Sequence, residues 1–355
     1  MNFDFSEEEQ ALSGLARQII EDKATHEHLK AMAEAGNNFD QSLWKSLAET
    51  GVVSASISEE YGGAGLSFLA VTAVLEIVGE FAAQIPALET IVMGALPIQE
   101  FGSDSQRSEL LPLISSGELV VTAGLVEGDE VLVKAGKLSG QIDFIPYGFE
   151  ADIILVPTKD GVYLVDPPGE GVVRTTRQTT AGHSQAAIVF EGASGDRLGS
   201  ASTAEVVDWI RLRVDSGICS MLSGACKASL DLAAEYTKVR HQFDRPIATF
   251  QAVSQRAGDA YIDTEAVLLT SRQAAWRIAA GRPAEEKVAI ARWWASEAGF
   301  RVVHASTHLH GGVGVDRDYP LHRFFLLARQ LELTLGNSEE QLALIGNILA
   351  EELSP

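Results

Sequence analysis

The sequence predicts a mostly helical α+β protein in which a small β domain separates two helical domains. Apolar residues recur at helical spacing in several runs up to residue 117. Between residues 118 and 200 the apolar runs become short, and glycine, proline and aspartate turn signals separate them. From residue 201 to 355 the helical period returns in runs long enough for an antiparallel four-helix bundle. These limits define an N-terminal helical domain, a middle β domain and a C-terminal helical-bundle domain.

The first helix is predicted from a capping box. Ser6 can accept a backbone N–H at the helix start, and Glu9, three residues later, can bond back to the serine backbone. Further helices are predicted over residues 41–50, 67–82, 87–101 and 106–115. A glycine-rich loop at residues 58–65 follows no strand, so a dinucleotide-binding fingerprint is not indicated there.

In the middle domain, the apolar runs DIILVPT, GVYLVDP and AAIVFEG are typical of strands. In the C-terminal domain, a helical run ends near Arg240, because Pro246 lacks an N–H group and restricts the residue before it. Another apolar run follows from Ile247. Residues 240–243 therefore form a basic and aromatic turn, whose guanidinium can bind a phosphate. The same pattern fits an ordinary elbow between two helices.

Composition limits the function classes. The formal net charge of the 355-residue chain is −22, which argues against nucleic acid or an anionic membrane as a partner. We find neither a signal peptide nor an apolar run of membrane-spanning length, and we expect a cytoplasmic protein. Cys219 and Cys226 are two helical turns apart, too far for an unstrained disulfide, so we expect packed thiols. No metal site is predicted, although four histidines lie near one another: His304, His308, His310 and His322.

Two motifs carry a resemblance to a known family. The pattern R-x-x-F-x-x-P-I-x-x-F-Q, beginning at Arg240, is similar to the C-terminal signature of the acyl-CoA dehydrogenase family, with Asp244 at a usual glycine position. The sequence HLHGGVGV at residues 308–315 resembles that family's Q-x-x-G-G-x-G segment. The resemblance covers the whole chain, including the helical, β, helical order. It implies FAD, whose pyrophosphate and adenosine these segments contact in a neighbouring subunit. The implied cofactor-binding residues are Arg240, Gln242, Phe243, Phe250, Gln251, His308, Leu309, Gly311 and Gly312.

The chain departs from the family where the flavin ring and the substrate react. The family's T-E-P-x-x-G-S-D and W-I-T-N segments are replaced by residues 125–129 and 143–147. The two family positions of the catalytic glutamate fall on Leu335 and near Val214. Asp215 is one residue away, which turns its side chain about 100° on a helix. We expect a surface or N–H-capping aspartate there, with a displaced base as the less favoured alternative, and hence no catalytic residue.

The resemblance therefore implies a subunit of a FAD-dependent acyl-CoA dehydrogenase that desaturates a CoA thioester, as in the α2β2 bacterial enzymes of steroid side-chain degradation. A homologous partner subunit would supply the glutamate, bind most of the acyl-CoA and share the FAD. A scaffold or regulatory protein of the same fold, without flavin or activity, is the alternative from a different class. A third reading is an active homo-oligomer with an unrecognised base.

Overall fold

The computed structural model describes residue 3, residues 5–125 and residues 130–353, without the side chains of residues 352 and 353. Helices precede and follow a region of strands, which confirms the predicted fold class. The α-helices are α1 (Glu7–Lys23), α2 (His26–Glu34), α3 (Gln41–Glu49), α4 (Phe68–Glu80), α5 (Leu96–Phe101), α6 (Asp104–Ser115), α7 (Thr203–Val239), α8 (Gln251–Ala279), α9 (Glu285–His310), α10 (Leu321–Leu333) and α11 (Ser338–Leu353).

The N-terminal helices begin largely where the sequence predicts them. The Ser6 Oγ accepts from the Glu9 backbone N–H at 3.2 Å, and the Glu9 carboxylate accepts from the Ser6 N–H at 2.9 Å, which confirms the capping box. Helix α2 was missed, because its nine residues are too few for a clear periodic signal. The single helix predicted over residues 87–101 is instead a π-helix, Leu88–Ala95, followed by α5.

The strands of the middle domain form two four-stranded sheets in the described part of the chain. One sheet has the order β1-β4-β5-β8, with β1 and β4 parallel, and the other has the antiparallel order β2-β3-β7-β6. The predicted runs DIILVPT and GVYLVDP contain β4 and β5, and the run AAIVFEG lies within β7. The strands are β1 (Val121–Ala123), β2 (Val131–Lys134), β3 (Lys137–Pro146), β4 (Ile153–Thr158), β5 (Gly161–Val165), β6 (Val172–Arg177), β7 (Gln185–Ala193) and β8 (Asp196–Arg197).

Helix α7 is the central element of the molecule. Its 37 residues pack against α8, α9 and α10 of the C-terminal bundle and against α4 of the N-terminal domain. Two glycines allow the α4 contact: a Cβ at Gly224 would lie 1.9 Å from the Glu76 carbonyl oxygen, and one at Gly79 would lie 2.0 Å from that of Met221. Cys219 and Cys226 are buried free thiols on α7, as predicted. Among the described helices, none has the length and apolarity that a membrane crossing needs.

Candidate cofactor groove and central cavity

The turn after α7 is a short β-hairpin, which corrects the simple turn between helix ends expected from the sequence. Strands β9 (His241–Gln242) and β10 (Arg245–Pro246) pair antiparallel. The two residues between them, Phe243 and Asp244, have φ values of +52° and +62°, as a two-residue hairpin loop of type I′ requires. Asp244 thus adopts a left-handed conformation that glycine enters without strain. The Phe243 ring is 87% exposed at the hairpin tip.

The hairpin and the end of α9 enclose a groove with a volume of about 590 Å³, which we call the hairpin groove. The structure therefore brings together two segments about sixty residues apart. The predicted residues that line the groove are Arg240, Gln242, His308, Leu309, Gly311 and Gly312. Three predicted residues lie outside its lining. The Phe243 ring contacts Phe250, with centroids 6.1 Å apart, and Gln251 is the exposed first residue of α8.

The groove has chemistry that fits a phosphate-bearing cofactor. In the described ranges, the Arg240 guanidinium has no hydrogen-bond or ion-pair partner, so its donors are available. A Cβ added at Gly311 or Gly312 would meet no atom within 4 Å, which leaves both backbones open to a bulky ligand. Gly311 also has φ +62° and ψ −137°, a conformation reserved for glycine. The groove thus fits the pyrophosphate and adenosine end of FAD.

His310 forms the floor of the hairpin groove. Its ring stacks on Tyr236 at 4.4 Å, and its Nδ1 lies 2.8 Å from the Ser306 carbonyl oxygen. Burial lowers the pKa of His310, which favours the neutral form of the ring. Across the described residues, no three His, Cys, Asp or Glu side chains are placed to hold a metal ion.

A second, larger concavity of about 1430 Å³ lies between the π-helix, the middle domain, α7 and α10, and we call it the central cavity. Leu335, at one predicted glutamate position, lines this cavity with an apolar side chain. Val214, at the other, is 0% exposed and belongs to the core. The segment 143–147 contributes Phe144 and Tyr147, with φ values of +54° and +50°. Of segment 125–129, Leu125 lines the cavity and the other four residues lie outside the described ranges.

Asp215 is neither a surface nor a capping residue, which corrects the expectation from the sequence. It lines the central cavity, and its Oδ1 accepts from the Nε of Arg292 at 3.2 Å. Arg292 is fully buried and also donates to the carbonyl oxygens of Leu331 and Thr334, at 2.9 and 2.6 Å. Burial raises the pKa of Asp215, and Arg292 opposes that rise. Asp215 therefore anchors the arginine that holds the turn carrying Leu335.

The central cavity contains titratable groups that sequence reasoning missed. Burial raises the pKa of Glu89, on the π-helix, to about 7, and lowers that of His183 to about 4. Burial, followed by the nearby Glu89 carboxylate, raises the pKa of Tyr147. The available signal was Glu89 itself, since it is the single charged residue in the apolar run from Ala87 to Ile98.

The chain is similar to known proteins over its full length. Models of the acyl-CoA dehydrogenase N-terminal and C-terminal domains match residues 6–118 and 213–350. Acyl-CoA dehydrogenase FadE27 of Mycobacterium tuberculosis is 36% identical, with 99% of each chain covered. The chain belongs to the acyl-CoA dehydrogenase family. Among solved structures, a chain of the ChsE4-ChsE5 complex from Mycobacterium tuberculosis is 37% identical, with a TM-score of 0.93 and 100% of both chains covered.

A second solved relative, the Tcur3481-Tcur3483 steroid ACAD G363A variant, is 34% identical, with a TM-score of 0.90 and 98% of each chain covered. Membership of the acyl-CoA dehydrogenase family places the chain among oxidoreductases. It also supports FAD as the cofactor that the sequence predicts.

Proposed function

We propose that this chain is the non-catalytic subunit of a heteromeric FAD-dependent acyl-CoA dehydrogenase. In this proposal it completes the FAD site of a homologous partner subunit, and the partner supplies the catalytic glutamate. Two relatives of known structure support a heteromer, because each combines two differently named chains. They are the ChsE4-ChsE5 complex and the Tcur3481-Tcur3483 steroid ACAD. The substrate we propose is the CoA thioester of a steroid side chain. Two free buried thiols, Cys219 and Cys226, support a reducing, cytoplasmic location.

The position of the two sites on α7 is the observation that carries the proposal. Asp215, at the central cavity, and Val239, beside the hairpin groove, are 24 positions apart on one continuous helix. At 1.5 Å per residue, they are separated by about 36 Å along the axis. This distance exceeds the length of an extended FAD molecule. A cofactor held in the hairpin groove would therefore not reach this chain's own central cavity, which supports a FAD site shared with another subunit.

The groove residues have distinct tasks in this proposal. FAD supplies the hydride acceptor for the α,β-desaturation in the partner's cavity. Here, the Arg240 guanidinium presents a fork of N–H donors to the pyrophosphate, and the Gln242 amide adds a neutral donor. Gly311 and Gly312 allow the cofactor to approach the backbone closely. Together these groups position the adenosine end and exclude part of it from water.

At the two positions where the family places its glutamate, the chain offers no proton acceptor. A base for the α-proton needs a carboxylate that is desolvated and free to take a proton. Leu335 cannot accept a proton, and Asp215 is held by the buried guanidinium of Arg292. The net charge of −22 also disfavours an anionic CoA thioester, which is why we assign most of the acyl-CoA contacts to the partner.

Co-expression with a glutamate-bearing homologue tests the proposal. The purified complex should be yellow and oxidise an acyl-CoA with an artificial electron acceptor, whereas the isolated chain should do neither. Replacing the partner's glutamate by glutamine should abolish turnover and leave the bound FAD unchanged. A stable complex that contains no FAD would favour the scaffold alternative. Robust turnover by the isolated chain supplied with FAD would favour the homo-oligomer and contradict the proposal.

A further inference from the structure

Three aromatic rings meet beneath the hairpin groove, and we call them the aromatic stack. The His310 ring lies on the Tyr236 ring, with the centroids 4.4 Å apart and the ring planes 26° apart. The Tyr319 ring meets both at an angle, with its centroid 5.1 Å from that of His310 and 6.4 Å from that of Tyr236. His310 and Tyr236 line the groove, whereas Tyr319 lies outside its lining. Tyr319 can therefore act on a groove ligand through the other two rings.

Hydrogen bonds determine which nitrogen of His310 carries the proton. Its Nδ1 atom lies 2.8 Å from the carbonyl oxygen of Ser306, which can only accept, so Nδ1 is the protonated nitrogen. Burial lowers the pKa of His310, which favours the neutral ring and leaves Nε2 as an acceptor. The hydroxyl of Tyr319 lies 3.2 Å from Nε2 and donates to it. Both ring nitrogens are thus hydrogen-bonded, and together the two bonds hold the ring in one orientation.

The His310 ring connects the two walls of the groove. In one wall, Tyr236 is in the last turn of α7, and its carbonyl oxygen accepts the backbone N–H of Arg240 at 2.9 Å. In the other wall, Gly311 follows His310 directly and has the backbone conformation reserved for glycine. A rotation of the His310 ring would shift the end of α7 relative to the Gly311 backbone. The orientation of this ring therefore sets the width of the groove.

The loop that carries Tyr319 is anchored to the N-terminal domain. On α2, the Nζ atom of Lys30 donates to Oδ1 of Asp318 at 2.5 Å. The Nε2 atom of His26, at the start of α2, donates to the carbonyl oxygen of Asp318 at 3.1 Å. An exposed contact of this kind contributes little by itself, but two contacts to one residue restrict the loop. Helix α2 thus helps to fix the position from which Tyr319 reaches His310.

We propose that Tyr319 is a positioning residue for the hairpin groove, because its bond to His310 fixes the spacing between Arg240 and the Gly311 backbone. The inference rests on the proposed function, since the ligand that this spacing serves is the pyrophosphate of FAD. It also couples the groove to the N-terminal domain, although none of the described residues of α2 lines the groove.

Amide hydrogen exchange of the isolated chain tests this role without FAD. Tyr319→Phe removes the hydroxyl and keeps the ring. Loss of one net hydrogen bond should speed exchange about three- to tenfold in two separate segments, residues 240–246 and 311–315. Tyr163→Phe, on β5 in the middle domain, is the matched control and should leave both segments unchanged. Unchanged exchange of residues 240–246 in Tyr319→Phe would overturn the proposal, because Tyr319 acts on that segment through the aromatic stack.

FAD binding by the complex tests the same role at the cofactor. Tyr319→Phe should raise the FAD dissociation constant about three- to tenfold, and Tyr163→Phe should leave it unchanged. His310→Phe keeps a stacked ring but removes both nitrogens. A double variant with Tyr319→Phe should bind FAD no more weakly than His310→Phe alone, because both changes remove one shared bond.

The outcomes separate this proposal from the proposed function. Additive losses in the double variant would show that the two residues act independently, which would refute the positioning role. A complex that binds FAD equally well with and without the Tyr319 hydroxyl would also refute it and leave the proposed function intact. A wild-type complex that holds no FAD would contradict the proposed function, and hydrogen exchange of the isolated chain would still decide whether Tyr319 orders both walls.

Discussion

Substitutions at Asp215 separate a structural role from a catalytic one. Asp215→Ala removes the carboxylate from Arg292, whose side chain is 0% exposed. Breaking a buried ion pair costs about 3–5 kcal/mol, because the remaining charge stays desolvated. The Asp215 side chain keeps 18% exposure, and Arg292 retains the carbonyl oxygens of Leu331 and Thr334. We therefore expect the lower end, about 3 kcal/mol. Asp215→Asn keeps an acceptor oxygen and should cost about 1–2 kcal/mol.

Urea unfolding of the isolated chain measures these free energies, and acyl-CoA oxidation by the complex measures turnover. Loss of a general base lowers a rate about 10²–10⁴-fold. If the partner holds the base, Asp215→Asn should change kcat by less than about tenfold. Asp231→Asn is the control, since Asp231 is on the same helix in a surface pair with Lys227. It should shift stability by no more than about 0.5 kcal/mol.

One outcome would refute the reasoning. In that outcome the isolated chain turns over acyl-CoA, and Asp215→Asn abolishes this turnover without changing the free energy of unfolding. Asp215 would then be a displaced base whose bond to Arg292 is dispensable. We expect the free energy of unfolding to fall most in Asp215→Ala and less in Asp215→Asn. The complex should keep its turnover.

Further predictions follow from the groove and the cavity. The isolated chain should retain little FAD after gel filtration, measured as flavin absorbance per protein; near-stoichiometric flavin would contradict this. Arg240→Ala should weaken FAD retention by the complex about ten- to a hundredfold, as loss of a charge-assisted hydrogen bond predicts. The effect should exceed that of Arg323→Ala, a control on α10 outside the groove lining. An unchanged dissociation constant would contradict the role of Arg240. The pKa of Glu89 rises from 4.5 in the unfolded chain to about 7 in the folded chain. The free energy of unfolding of the wild type should therefore fall by about 3 kcal/mol relative to that of Glu89→Gln as the pH rises from 4.5 through 7. Parallel pH profiles of unfolding free energy would exclude that shift. Leu335→Glu alone should create no acyl-CoA oxidation in the isolated chain supplied with FAD.

The parts of the fold that sequence predicts are those with local or periodic causes. The capping box at Ser6 depends on residues three apart. The spacing of apolar residues in the helical runs indicates which face of each helix is buried. The hairpin at residues 241–246 was missed because two-residue strands leave no alternation to detect. The π-helix was missed because the apolar run around it fits an α-helix equally well.

The sequence named residues that line both the hairpin groove and the central cavity, but it missed the contact that positions Asp215 and the place of Glu89. The motifs at residues 240–251 and 308–315 gave most of the hairpin groove, since each motif is contiguous in sequence. The pair of Asp215 and Arg292 joins residues 77 apart, and no spacing rule connects them. Glu89 is conspicuous as a lone charge in an apolar run. Its place on a cavity wall depends on how α7 and the middle domain pack around the π-helix. The apolar run around Glu89 carries no information about that packing.

The glycine contact between α4 and α7 has a consequence for how the chain can be divided. Gly79 and Gly224 bring two helix backbones together so closely that neither position admits a methyl group without displacement of the opposite helix. The residues of α7 from Ser216 to Cys226 are all buried, although they belong to one continuous helix of the C-terminal bundle. Without the N-terminal helices, the side of this strip that packs against α4 would face water. The two helical domains are therefore not interchangeable modules, because each buries apolar surface of the other.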